Sequence, residues 1–560
     1  MFMTTELSAL IEAEMERFGV PGVAVTVVAD GAVVLCDGFG LRDMAGRRPV
    51  TARTLFPIAS ATKTFTAALC ALLVDEGVLA WDRPVRGYLP GFQLVDPAAT
   101  EGLTVHDMLC HRSGLPRHDL LWYSAAGETT RTELVEALRH LEPSRGFRET
   151  FQYNNLLYAC AGEIAGRLCG GSYESVVRKR LLDPLGMHRT NLSIAETAAD
   201  DDAARGYAAP APGEPVAEVE YAPLGPIAPA GAINSCAEDL GPWLMTLLGR
   251  GVGDRPPLLS ADVLTAMRTP AISLSDPSLF LVGDPVGYGL GLMIEDYRGH
   301  RVVFHGGNID GFSSQVAVVP EAGCAVAVLA GREGTALRDA LPHAILDRLL
   351  GLDPRPHGAT LLAREEAVLR GHAQGRERLV TGSAALPPVR PLRDYAGRYR
   401  DPGYGELVIT ESGDGLDGRY RALAGPVVHR HLEVFNLMVD LLGVATPLPL
   451  QFFHDLEGEV TAAALSLEEA VAPIRFERVP ETGHLTGELL DRLAGTYRLG
   501  PLTATVGRRG PDGLTARIGP GVPAELVPVR DLIFTMNGGR VEFTDDGRLL
   551  TSAGDFTRDP

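Results

Sequence analysis

The chain has 560 residues, 45% of them apolar and 22% charged, with a formal net charge of −20 at pH 7. That length exceeds what one hydrophobic core usually serves, so about two to four domains are expected, and the apolar-to-charged balance excludes disorder over the whole length. An acidic surface repels phosphate backbones and anionic bilayers, so neither a nucleic-acid nor a membrane partner is expected.

The seven cysteines lie between Cys36 and Cys324 with wide spacings and no CxxC. An odd number so arranged fits free thiols in a reducing compartment better than a disulfide framework. The opening residues MFMTTELSALIEAEMERFG lack the basic and apolar regions of a secretory signal, and no apolar run reaches the roughly 18 residues of a membrane span. A cytoplasmic location is expected. Of 51 basic residues only two, Lys63 and Lys179, are lysines. Where a plain positive charge suffices the chain uses Arg, so a retained Lys points to a task Arg cannot do, such as losing its proton.

In chain order, residues 5–18 place Leu7, Leu10, Ile11, Met15 and Phe18 on one stripe and predict a helix stopped by Gly19 and Pro21. Two β-rich runs, 22–30 and 31–40, meet at the Asp30-Gly31 turn signal. A helix is expected from Ser60 to about Glu76, buried on all sides because 65–74 is almost wholly apolar. Ser235-Cys-Ala-Glu238 reads as a capping box opening a helix through Leu248. Strands return near residue 300, and a helix at about 335–350 closes this part. The expectation is an α/β (α+β) domain whose antiparallel sheet draws on both ends of the segment and is flanked by helices.

Residues 353–392 read as a connector with a charged helical piece, after which short alternating strands prevail. Here the sequence repeats: Asp394-Tyr-Ala-Gly-Arg-Tyr-Arg400 matches Arg492-Leu-Ala-Gly-Thr-Tyr-Arg498 at an offset of 98 residues. Two small antiparallel β-barrels follow from this. The expected domains are 1–352, a connector 353–392, 393–481 and 482–560.

Ser60-Ala-Thr-Lys63 carries the chemistry. Residues at i and i+3 share a helix face, and Ser60 stands at a helix start, where free N–H groups favour a developing anion. Lys63 lies one turn further in, against apolar surroundings that disfavour its charge. A neutral Lys amine can take the proton of the Ser60 hydroxyl. Tyr153-Asn154-Asn155 adds a phenol and amides, and His305-Gly306-Gly307 ends an apolar strand where two glycines let a substrate backbone come close. No HExxH, P-loop or dinucleotide fingerprint is visible, and no cofactor or metal is expected. His429 and His431 alternate on an expected strand without a third ligand nearby, and read as surface residues. His111 and His118 read as structural.

The order and spacing of S-x-x-K, Y-x-N and H-x-G resemble the penicillin-recognising serine hydrolases, and more specifically class C β-lactamases, D-aminopeptidases and related esterases. The stretches HRSGLPRHDLLWY (111–123), PAGAINSCAEDL (229–240) and FHGGNIDGFSS (304–314) are similar too, and the resemblance covers about residues 5–350. It implies Ser60 as nucleophile, Lys63 as its base and Tyr153 as proton relay. It further implies Asn155 at the substrate's acyl-side amide, with Gly307 and Asn308 beside the substrate. His305 would support Tyr153, and the backbone N–H groups of Ser60 and Asn308 would form an oxyanion hole. With its ordinary pKa near 6.5, His305 is expected to add a lower limb to the pH profile.

The activity so implied is cleavage of an amide or ester of a small peptide or D-amino-acid substrate through a Ser60 acyl-enzyme. Acyl transfer by the same intermediate is an alternative, as are β-lactamase and D-Ala-D-Ala carboxypeptidase activity. The partner is a small-molecule or short-peptide substrate, and the oligomeric state is open.

Overall fold

The computed structural model describes residues 2–125, 128–209, 214–274, 282–381, 386–480 and 485–559. Two compact units result. The first comprises Met1–Leu379 with Asp440–Thr446 and Leu467–Ala472; the second comprises Val380–Val439, Pro447–Ser466 and Pro473–Pro560.

In the first unit, helix α1 (Phe2–Phe18) leads into strands β1 (Gly22–Ala29) and β2 (Ala32–Asp43). They turn at Asp30 and Gly31, both with positive φ (51° and 76°), the conformation of a tight hairpin turn matched to strand twist. A two-residue strand β3 (Arg48–Pro49) follows. The rest of the sheet comes from the other end of the segment: β4 (Asp284–Tyr288), β5 (Met293–Tyr297), β6 (His300–Ile309), β7 (Phe312–Val319) and β8 (Cys324–Ala330). The order across the sheet is β3-β2-β1-β8-β7-β6-β5-β4, and the pairings are antiparallel. β7 and β8 are buried along their whole length and β1 along all but its last residue, so both faces of the sheet centre are covered.

Helix α2 (Thr62–Asp75) is buried over nearly its whole length. Phe65 stacks on Trp243 of helix α3 (Ala237–Leu247) at 3.7 Å, and Trp243 Nε1 donates to Thr64 Oγ1. The chain then forms α4 (Leu337–Leu349) and a 25-residue helix, α5 (His357–Thr381), within the stretch read as connector; residues 382–385 of that stretch lie outside the described residues. All seven cysteines are free thiols. Among the described residues no helix is long and apolar enough to cross a membrane.

The capping box expected at Ser235–Glu238 does not form. Cys236 is the N-cap residue and makes no side-chain cap bond. Ser235 belongs to a two-residue strand paired with Phe56–Pro57, and its Oγ meets Thr190 Oγ1 at 2.8 Å. Glu238 instead pairs with Arg53. Tertiary partners outcompete the local bond.

The second unit holds two closed eight-stranded barrels, running from Gly397–Asp401 to Ile474–Arg478 and from Gly495–Leu499 to Gly554–Arg558. The repeat has a structural meaning. Tyr399 OH donates to Tyr395 O, and Tyr497 OH to Leu493 O, each at 2.7 Å. At the closing strands Arg478 Nη2 donates to Ala396 O and Arg558 Nη2 to Ala494 O. The same corner therefore closes both barrels. The expected boundary at 481/482 lies outside the described residues.

Candidate active site

The turn that carries Ser60 is built before helix α2 begins. Ile58 N–H donates to Ile233 O, and Ala59–Ala61 forms a single 3-10 turn that runs into α2. Ala59, the residue before Ser60, has φ of +46°. A left-handed non-glycine residue is strained, and such strain persists where surrounding structure holds it. Ser60 is part-exposed in the middle of this turn, while Lys63 one turn on is fully buried. The other lysine, Lys179, is exposed.

Lys63 Nζ has three close neighbours: Ser60 Oγ at 3.2 Å, Asn155 Oδ1 at 2.7 Å and Ala230 O at 2.9 Å. Burial drives its pKa well below the ordinary 10.5; the nearby Arg117 cation adds to this, and Asp119 opposes it. A neutral amine has two N–H donors and one lone pair. Two of its neighbours, the amide oxygen and the carbonyl, can only accept. On a neutral Lys63 they would take the two N–H groups and leave the lone pair for the Ser60 hydroxyl.

Of the two asparagines after Tyr153, only one faces this cluster. Asn154 is the N-cap of the helix Asn155–Leu168: its Oδ1 accepts from Leu157 N–H and its Nδ2 donates to Pro116 O. Asn155 carries the polar contact with Lys63, and its Nδ2 donates to Asp119 Oδ1 at 2.8 Å. The Tyr153 ring lies 4.7 Å from Lys63 Nζ and 4.7 Å from the Arg117 guanidinium. Burial raises its pKa to about 12, with Arg117 and the interaction with Ser60 pulling the other way. At neutral pH Tyr153 is a phenol and a proton donor.

His305 sits 6.4 Å from Tyr153 between ring centres. Its Nδ1–H donates to Gly306 O at 2.6 Å, which leaves Nε2 to accept from Tyr288 OH at 3.0 Å. Burial, with the Lys63 side chain second, lowers its pKa to about 3. The expected lower pH limb from His305 is therefore corrected: it stays neutral across the working range. Its polar partner is Tyr288, which no local spacing signals.

β5 pairs with β6 only as far as Phe304, so from His305 onward that edge of β6 is open. The Ser60 turn lies against it. A Cβ on Gly307 would fall 2.0 Å from Ile58 O and 2.5 Å from Ser314 Oγ, and Ser314 Oγ donates to Ile58 O. The glycine expected to admit a substrate backbone is used by the chain itself to admit the Ser60 turn. Asn308 is exposed next to it, with its Oδ1 accepting from Ser313 Oγ and Gly334 N–H.

Sequence reasoning assigned no chemistry to His111, yet its ring lies 4.4 Å from Tyr153, 5.0 Å from Tyr158 and 5.1 Å from Tyr288. Its Nδ1 accepts Asn154 N–H, and burial keeps it neutral. Arg117 and Asp119 were also missed, although they lie in the quoted 111–123 stretch. His429 is engaged by Leu432 O on the surface of the first barrel. Among the described residues no group of three or more His, Cys, Asp or Glu could hold a metal ion.

A sequence model of the Beta-lactamase family matches residues 7–350, and one for a domain of unknown function, DUF3471, matches 382–478. An unguisins hydrolase of Aspergillus campestris is 30% identical over 88% of this chain and 96% of its own length. Among solved structures, the octameric penicillin-binding protein homologue of Pyrococcus abyssi is 25% identical, with a TM-score of 0.55 over 84% of this chain and 99% of its own. The D-amino acid amidase of Ochrobactrum anthropi SV3, complexed with L-phenylalanine amide, is 27% identical, with a TM-score of 0.53 over 63% of this chain and 98% of its own.

Proposed function

The chain belongs to the Beta-lactamase family and is a serine hydrolase, and we propose that it cleaves the amide bond of a short peptide or D-amino-acid amide through an acyl-enzyme on Ser60. The observation that carries this reading is the set of three neighbours of Lys63: two are acceptors only and the third is the Ser60 hydroxyl, so a neutral Lys63 would keep its lone pair for Ser60 Oγ.

Ser60 Oγ attacks the substrate carbonyl as its proton passes to Lys63 Nζ. The carbonyl oxygen becomes an oxyanion beside the backbone N–H groups of Ser60 and Asn308. Tyr153, a phenol at neutral pH, gives its proton to the departing amine nitrogen and is reprotonated from the Lys63 ammonium. The C–N bond breaks and the acyl group stays on Ser60 as an ester. A water molecule then attacks that ester, losing its proton to the same pair, and Ser60 leaves with a proton returned. His305 and His111, both neutral, add no cation to compete with this transfer.

The amide preference draws on the named activities of two relatives, an unguisins hydrolase and a D-amino acid amidase. Intact-protein mass spectrometry with p-nitrophenyl acetate, and turnover of D- and L-amino-acid p-nitroanilides, test the reading. The expected result is a mass increase of one acyl group on Ser60 and release of p-nitroaniline from a D-substrate. Turnover of esters alone contradicts the amide reading, and turnover of L-substrates alone contradicts its D-amino-acid part. No label on Ser60 contradicts the mechanism.

A further inference from the structure

Asn155 can aim only one end of its amide at Lys63, and which end decides where the lysine lone pair points. With Oδ1 toward Nζ, as observed at 2.7 Å, the amine spends an N–H there. With the amide turned over, Nδ2 would occupy the lone pair, and an N–H of Lys63 would face Ser60. The base would then be lost with no atom displaced by more than an amide flip.

What fixes the amide lies on its other side. Asp119 Oδ1 accepts from Asn155 Nδ2 at 2.8 Å and from Trp122 Nε1 at 2.8 Å, while Oδ2 accepts from Arg117 Nε at 2.6 Å. A carboxylate has no donor, so it admits only the NH2 end of Asn155. We propose that Asp119 is a positioning residue of the reaction: acting through Asn155, and held by Arg117 and Trp122, it directs the lone pair of Lys63 at Ser60. The proposal rests on the reading of Lys63 as the base.

The loop is built to keep this geometry. His118, between the two charged residues, has φ of +50°. Its backbone N–H donates to Glu468 of the same unit, and its Nε2 meets Glu142 O at 3.1 Å. The pair also sets the local field. Arg117 lies over the Tyr153 ring and opposes an ammonium on Lys63, whereas Asp119 favours one. The other groups facing Lys63 are Ser60, the rings of Tyr153 and Tyr158, and the Ala230 carbonyl. His111 and His305 are neutral; Arg338 acts on Tyr153 and His305, and Glu468 on Arg117.

The test uses the full chain, p-nitrophenyl acetate turnover and fluorophosphonate labelling of Ser60. Asp119→Ala is expected to lower the acylation rate by about 10–100-fold, the scale of a misplaced catalytic group. In an Asn155→Ala background the same change should cost less than about threefold, because the residue through which Asp119 acts is gone. Asp119→Asn keeps an oxygen acceptor and should lose less. Its acid limb should move to lower pH and that of Arg117→Gln to higher pH, since the first removes a charge that favours the ammonium and the second one that opposes it. If Asp119→Ala does not fold, the two limbs decide. Multiplying losses in the double variant, or limbs that stay put or move together, overturn the proposal while wild type remains labelled on Ser60. A wild type that is neither labelled nor active overturns the serine-hydrolase reading itself, and the proposal with it.

Discussion

Gly307 and Ile58 touch backbone to backbone: a single added Cβ at 307 would lie 2.0 Å from the Ile58 carbonyl oxygen. This contact seats the Ser60 turn against the open edge of β6. Gly307→Ala is therefore expected to push Ala59 and Ser60 away from Asn308. Overpacking of this kind typically costs about 1–3 kcal/mol, and the displaced Ser60 should lose at least about tenfold in acylation rate. Thermal unfolding and fluorophosphonate labelling measure the two effects. An Ala variant with wild-type labelling would show that the turn is not held by this approach.

Lys63→Arg is expected to be as damaging as Lys63→Ala. The site is fully buried, and its two acceptors, Asn155 Oδ1 and Ala230 O, would satisfy a guanidinium that cannot give up its proton. Loss of a catalytic base costs about three orders of magnitude or more in kcat. Ser60→Ala should remove labelling altogether. Substantial ester turnover by Lys63→Arg would reduce Lys63 to an electrostatic role.

The pH profile of kcat/KM is expected to show one acid limb. Below its folded pKa Lys63 is an ammonium with no lone pair, so activity falls as pH falls through that value. Burial places the limb well below the ordinary lysine value of 10.5. Tyr153 and Lys63 exchange protons, so the limb belongs to the pair. His305, held near 3, should add nothing between pH 5 and 9. A second limb near pH 6.5 that disappears in His305→Lys would contradict its neutrality.

Tyr497→Phe is expected to destabilise the second barrel by about 1–3 kcal/mol, because the Leu493 carbonyl loses its buried donor. Tyr399→Phe should do the same to the first barrel through Tyr395 O. Hydrogen exchange resolved by peptide would show lost protection confined to the barrel that carries the change. Ser60 labelling should stay at wild-type rate, since neither tyrosine lies in the unit that holds Ser60. Equal loss of protection in both barrels would contradict separate closure.

The features legible in the sequence are the local ones. Asp30-Gly31 adopts two positive φ angles because Gly tolerates them freely and Asp better than most residues. Ser60 and Lys63 share a helix face whatever surrounds them. The barrel repeat is visible because each tyrosine and the carbonyl it bonds lie within one seven-residue run, although the arginine that joins them comes from the closing strand. Asn154 and Asn155 look alike in sequence, yet one caps a helix and the other meets Lys63. The difference comes from side chains far along the chain. Ser235 looked like a cap and was claimed instead by Thr190. The orientation of Lys63 depends on Ala230, 167 residues away, and on Asn155, 92 away. Tyr288 reaches His305 from 17 residues away, and Ile58 reaches Gly307 from the far end of the sequence segment that builds the sheet. Spacing in a sequence encodes which residues share a face. It does not encode which carbonyl, carboxylate or hydroxyl from another element arrives there, and a lone pair is aimed by those arrivals. The meeting of a serine and a buried lysine follows from their spacing on one helix; the way the lysine faces follows from partners that folding brings to it from elsewhere in the chain.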